Sequence, residues 1–130
     1  MFLLSRRSTM FTFSVLSITA IAAIPALATQ VVKHDSKVTV SQMAPAFHGR
    51  VKSSARPCIQ QRKVKLFRAH RHRPDTLLGT DQTTNRGRWK VIVNPLRSGA
   101  YYAKVKRRTD GTAGTIHVCR SDRSRFVGVD

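Results

Sequence analysis

The sequence predicts an all-β protein, and three observations carry that reading. Apolar and polar residues alternate in short runs, as where Trp89, Val91 and Val93 are set against Arg88 and Lys90, the period of a strand with one buried face. Turn residues separate these runs: Thr84-Asn85-Arg86-Gly87, then Asn94-Pro95 and Ser98-Gly99, then Asp110-Gly111 with Gly114. No segment of the domain shows an apolar period of 3.6 residues. Together they imply a seven-stranded antiparallel β-sandwich, with a small closed barrel as the alternative.

The first 28 residues are of another kind. Arg6 and Arg7 precede an almost uncharged run over residues 10–24, and Pro25-Ala26-Leu27-Ala28 puts small residues at a cleavage site. This is the pattern of a cleavable signal peptide at 1–28, so the protein is expected to be secreted, or held at the cell surface by charge. Ser5-Arg6-Arg7 resembles a twin-arginine export signal, but Thr9, Met10 and Phe11 do not continue it, and general secretion is expected. Thr29 rather than Cys follows the cleavage site, so no lipid attachment is implied. No second apolar stretch follows, and none is expected to span a membrane.

Residues 29–45 are polar, with a brief alternation at Val38-Thr39-Val40, and read as a flexible leader. The domain is expected over residues 46–130. Its first strand places Phe47, Gly49 and Val51 on one face. The second runs from Lys63 to Arg68 with Val64 and Leu66 inward, and the third from Leu77 to Thr83. The fourth is the Trp89 strand, and the fifth alternates Tyr101, Ala103 and Val105 with Tyr102, Lys104 and Lys106. Thr115 to Arg120 and Phe126 to Val129 close the set.

Cys58 and Cys119 are the only cysteines. In an exported chain a single pair has one way to join, so a Cys58–Cys119 disulfide is expected. Closing a loop of about 60 residues stabilises by about 4 kcal/mol on the chain-entropy model.

Phe47, Gly49 and Val51, the Val64 and Leu66 strand, Leu78 to Asp81, Thr84 to Trp89 and Gly99 to Val105 together resemble the transthyretin-like (prealbumin-like) sandwich of carboxypeptidase regulatory-like domains. The similarity covers about residues 46–129. The chain is also similar to small, lysine-rich secreted bacterial proteins in which two cysteines bracket such a domain. The resemblance implies an accessory, carbohydrate-binding-like or adhesive unit and carries over no catalytic residue.

Charge is the conspicuous feature. Lys and Arg number 24 against 6 acidic residues, for a formal net charge of +18, and every acidic residue is Asp. Lys63, Lys65, Arg88, Lys90, Lys104 and Lys106 fall on the outward phase of their strands, which implies cationic sheet faces able to attract polyanions by counterion release. An anionic polysaccharide, a cell-wall polymer, extracellular nucleic acid or an acidic membrane surface would fit. The contrasting expectation is that charge serves only solubility. Gln61 to Leu66 fits a heparin-type spacing of bases.

Two further groups stand out. Phe67 and Tyr102 fall outward among lysines and would form an exposed aromatic patch for a protein or neutral carbohydrate, the alternative function. His70 and His72 would share a face of an extended segment, but Arg68, Arg71 and Arg73 surround them, so a solvated basic loop is expected and no metal site. No nucleophile elbow, paired carboxylates, phosphate loop or zinc spacing occurs, so no enzyme activity, catalytic residue or cofactor is expected. Nothing in the sequence sets an oligomeric state.

Overall fold

The computed structural model describes residues 28–112 and 114–130. The expected signal peptide, apart from Ala28, therefore lies outside the described residues. The described residues form twelve strands: β1 Gln30–His34, β2 Ser36–Val38, β3 Ser41–Met43, β4 Ala46–Ser53, β5 Lys63–Arg68 and β6 Thr76–Gln82 come first. They are followed by β7 Arg88–Ile92, β8 Gly99–Val105, β9 Arg108–Thr112, β10 Thr115–Cys119, β11 Asp122–Arg123 and β12 Val127–Val129. The only helical piece among the described residues is a 3-10 turn at Arg56–Cys58. All-β is therefore the class, with more and shorter strands than the alternation alone suggests.

Three sheets result. The largest runs β11-β8-β5-β6 with β12 also on β8; a second runs β2-β4-β3 with β7 also on β4; a third runs β1-β10-β9. The first two share the core. Phe47 and Val51 of β4, Val64 and Leu66 of β5, Trp89 and Val91 of β7, and Tyr101, Ala103 and Val105 of β8 are buried together. Each is the inward half of an alternating strand, and Phe47 stacks on Tyr101 from the facing sheet at 4.7 Å. Gly87, at φ +79, closes the turn that carries the chain from β6 in one sheet to β7 in the other.

Residues 29–45 are not a flexible leader. β1 pairs in parallel with β10, Gln30 opposite Thr115 and His34 opposite Cys119, and β2 and β3 both pair antiparallel with β4. The segment is polar because it is held chiefly by backbone hydrogen bonds, with Val38 as the one side chain from β2 that enters the core. Between β2 and β3 the chain bulges inward at Thr39, whose carbonyl accepts the indole N–H of Trp89 at 3.2 Å. A Cβ on Gly49 would stand 1.8 Å from that carbonyl oxygen, so glycine is what lets the bulge close over β4. Asp110-Gly111 likewise is not a turn but lies within β9, and the reversal falls next to Gly114, at φ +79.

Cys58 and Cys119 form the disulfide, with Cα atoms 5.2 Å apart, and both are fully buried. Beside it lies Arg62, 1% exposed. One Nη donates to the Cys58 carbonyl (2.7 Å) and the Ser36 hydroxyl (3.0 Å); the other donates to the carbonyls of Lys106 (2.7 Å) and Arg120 (3.2 Å). No carboxylate faces it. Burial, and then the charge of Arg108, pull its pKa down from the ordinary guanidinium range to about 10, so it remains a cation at neutral pH.

Removing this side chain would strand several buried carbonyls at once. Arg62→Ala is expected to lower stability by about 3 kcal/mol, read from the urea midpoint with the disulfide intact. Arg62→Lys, which keeps the charge but lacks the planar fork, should recover only part. A loss below about 1 kcal/mol for Arg62→Ala would refute the structural role assigned to it.

Candidate functional site

The six outward cations do not form one patch. Lys63 and Lys65 on β5 and Lys104 on β8, with Lys106 just after it, lie on the outer face of the largest sheet, whereas Arg88 and Lys90 lie on β7 in the second sheet, with the core between. On the first face the registers build a row: Lys65 is directly opposite Lys104, and Lys104 is directly opposite Arg123. On the second, Arg50 faces Arg88, His48 faces Lys90, and Lys37 faces Lys52. Arg123, Lys37, Arg50 and Lys52 thus join these six; Arg50 and Lys52 already fall on the outward phase of the Phe47 strand in the sequence, and strand register adds Arg123 and Lys37.

The pairs made only of lysine and arginine are repulsive. Like charges directly opposite on neighbouring strands are destabilising. The repulsion registers at Lys65, whose pKa is held below 10.5 by hydrogen bonding to Lys106 first and by the charge of Lys106 second. Carboxylates do not relieve it. The ion pairs among the described residues are Arg108 with Asp110 and Arg120 with Asp35. Asp81 and Asp122 instead accept the backbone N–H groups of Lys90 and Val38, each at 2.8 Å. Each cationic face carries a shallow groove: one of about 560 Å³ bordered by His48, Arg50, Arg88 and Lys90, and one of about 580 Å³ bordered by Lys104, Lys106, Arg107 and Arg123.

The heparin-type spacing at Gln61 to Leu66 does not survive as a surface motif. Arg62 is turned inward, so only Lys63 and Lys65 of that run can meet a ligand. A buried arginine among exposed bases has no sequence signature of its own.

The aromatic patch is corrected in a similar way. Tyr102 lies on the outer face, as alternation requires, but is only 2% exposed. Phe67 stacks on it at 5.4 Å, Phe126 packs edge-on at 5.4 Å, and the Arg123 guanidinium covers the ring at 4.1 Å. Lys104 Nζ lies 5.5 Å from the Phe67 ring centre. The segment after β11 folds back across β8, which the period of β8 alone cannot reveal. Phe126, at 55% exposure, is the aromatic that meets solvent.

Tyr102 is also an anchor. Its hydroxyl donates to Asp75 Oδ2, and Asp75 Oδ1 accepts the backbone N–H of His70 at 3.1 Å. The basic loop of residues 69–75 is thereby tied to the sheet. These two hydrogen bonds, the tyrosine's first, hold the Asp75 carboxyl below its usual 3.8, while burial and then Asp75 itself push the tyrosine up. His70 Nε2 lies 2.8 Å from the Thr76 hydroxyl, and His72 is exposed; no cluster of three or more metal-ligating side chains occurs among the described residues. His34 and His117 meet across β1 and β10, Nε2 to Nδ1 at 2.9 Å, a contact 83 residues apart that no local motif announces.

No helix among the described residues is long and apolar enough to cross a membrane. No family model, curated protein or solved structure matches the chain.

Because the Asp75 pKa is depressed on folding, the loop anchor is complete above pH 3.8 and is lost as pH falls through the lower folded-state value. An NMR pH titration should show the His70 amide signal moving below pH 3.8. In Asp75→Asn that step should vanish, and a step of unchanged size would contradict the anchor.

Proposed function

We propose that this protein is a secreted, non-catalytic, basic β-sandwich of transthyretin-like kind that binds anionic extracellular polymers through the outer faces of its sheets. The observation that carries this reading is the cross-strand row of Lys65, Lys104 and Arg123, none of which belongs to the ion pairs among the described residues. Solubility alone would be served by charges of either sign, spread so that neighbours attract. Aligned like charges cost stability, and an anionic chain laid along them converts that cost into binding. Each neutralised phosphate or sulfate also releases a condensed counterion.

Cations on two opposed faces suit a flexible polymer better than a single docked partner. An anionic polysaccharide or a cell-wall polymer could engage one face or bridge two molecules. Extracellular nucleic acid satisfies the same electrostatics without requiring base contacts. The alternative, a module that docks on a protein or neutral carbohydrate through Phe67 and Tyr102, is less favoured because Tyr102 is covered by Arg123 and Phe126.

Chromatography on immobilised heparin and on teichoic acid tests the proposal. The mature protein should be retained at low salt and released as salt rises, and Lys65→Gln with Lys106→Gln should elute earlier. The same double variant removes a repulsive contact, so its urea midpoint should be no lower than the parent's. Retention that ignores salt, or an elution position equal to the parent's, would refute electrostatic binding by this face.

A further inference from the structure

One concavity belongs to neither sheet face. It lies at the end of the core where the last residue of β5, the loop after it and the loop between β7 and β8 come together, and it encloses about 360 Å³. Arg68, Arg73 and Arg97 each come from one of these three segments and line the same space. Leu78, Val93 and Tyr101 supply an apolar wall, and no carboxylate is among the lining residues.

Two of the three guanidiniums are held by hydrogen bonds. Arg68 donates from Nε (3.2 Å) and Nη2 (2.6 Å) to the Ser98 carbonyl, a fork that fixes its plane and ties the β7–β8 loop to β5. Glycine at position 99 leaves room for it, since a Cβ there would stand 3.0 Å from Arg68 Nε. Arg73 Nη2 lies 3.4 Å from His70 Nδ1, and His70 Nε2 lies 2.8 Å from the Thr76 hydroxyl. For Nδ1 to accept from Arg73, His70 must be neutral with its proton on Nε2, donated to Thr76. Burial first, then the charges of Arg73 and Arg68, favour that neutral form. His70 is thus a positioning residue for Arg73. Arg97 is exposed and belongs to neither of the ion pairs among the described residues.

We propose that this pocket binds a phosphate monoester carried on a compact apolar or ring-shaped body. Three cations lining one space that no carboxylate lines, with Asp75 behind His70 as the neighbouring acid, favour a dianion over a carboxylate or a phosphodiester. The arginine fork matches the spacing of phosphate oxygens. The apolar wall gives the body of the ligand a surface to cover, and the volume falls within the range of small-molecule sites. Such a site reads a chain terminus or a free monoester, whereas the sheet faces read charge along a chain.

Isothermal titration of the mature protein with phenyl phosphate, inorganic phosphate and methyl phenyl phosphate tests the assignment. Phenyl phosphate should bind saturably with one equivalent, and more tightly than inorganic phosphate, which has no body to cover the wall. The diester should bind at least about tenfold more weakly than phenyl phosphate. Arg73→Gln with Arg97→Gln should weaken phenyl phosphate about tenfold or more, because two charge-assisted contacts are lost. Lys33→Gln with Arg86→Gln removes the same charge elsewhere, at two exposed positions, and should leave its affinity unchanged. Absence of saturable binding, equal affinity for the monoester and the diester, or an equal loss in both double variants would overturn the pocket. Salt-dependent heparin retention does not depend on any of these outcomes, so the pocket and the sheet faces stand or fall separately.

Discussion

A buried guanidinium without a carboxylate holds this molecule together at the point where its parts meet. Arg62 reaches the turn at Cys58, the start of β2 at Ser36, the end of β8 at Lys106 and the end of β10 at Arg120. A cation in such a place is tolerable only because its donors meet neutral acceptors. The Cys58–Cys119 disulfide joins two of the same segments. The covalent bond limits how far they can separate, and the planar fork sets their relative orientation. Arg108 braces the same turn through the carbonyls of Gln61 and Pro57. The β1-β10-β9 sheet, which contributes little to the shared core, depends on this junction for its place.

That junction matters because the surface works against the fold. Lys37 against Lys52, Arg50 against Arg88, and Lys65 between Lys104 and Lys106 are all repulsive contacts. Lower ionic strength increases their mutual repulsion, since screening weakens as the Debye length grows. It also strengthens attraction to any polyanion. Stability and binding therefore respond to salt in opposite directions, and a bound anionic chain satisfies both by placing negative charge along the rows.

Much of this was legible from residue order. Alternation in β4, β5, β7 and β8 identified Phe47, Val51, Val64, Leu66, Trp89, Tyr101, Ala103 and Val105 as the inward set, because one buried face imposes a period of two. The pairing of two cysteines needed no geometry. What escaped was set by contacts between distant segments. β1 to β3 are polar strands whose hydrogen-bond partners lie in β10 and β4, so their own residues carry almost no apolar signal. Arg62 looks like its basic neighbours until the carbonyls around it are known. Tyr102 has the outward phase of an exposed residue and is covered by a segment some twenty positions later. The three arginines of the end pocket come from three separate segments, a convergence only the fold creates.

The two cationic faces are also unequal in a way that charge counting hides. On the β5–β8–β11 face, Lys104 and Arg123 lie over Phe67, Tyr102 and Phe126, so their hydrocarbon stems are packed and their heads are held near rings. Long side chains ordered before a ligand arrives lose less rotamer freedom when it binds. Arg50, Arg88 and Lys90 on the second sheet have no such aromatic support among the described residues. Equal numbers of charges therefore do not imply equal affinity. Under the polyanion binding proposed above, the face backed by aromatics would begin closer to its bound arrangement and would be the one on which a polymer settles first.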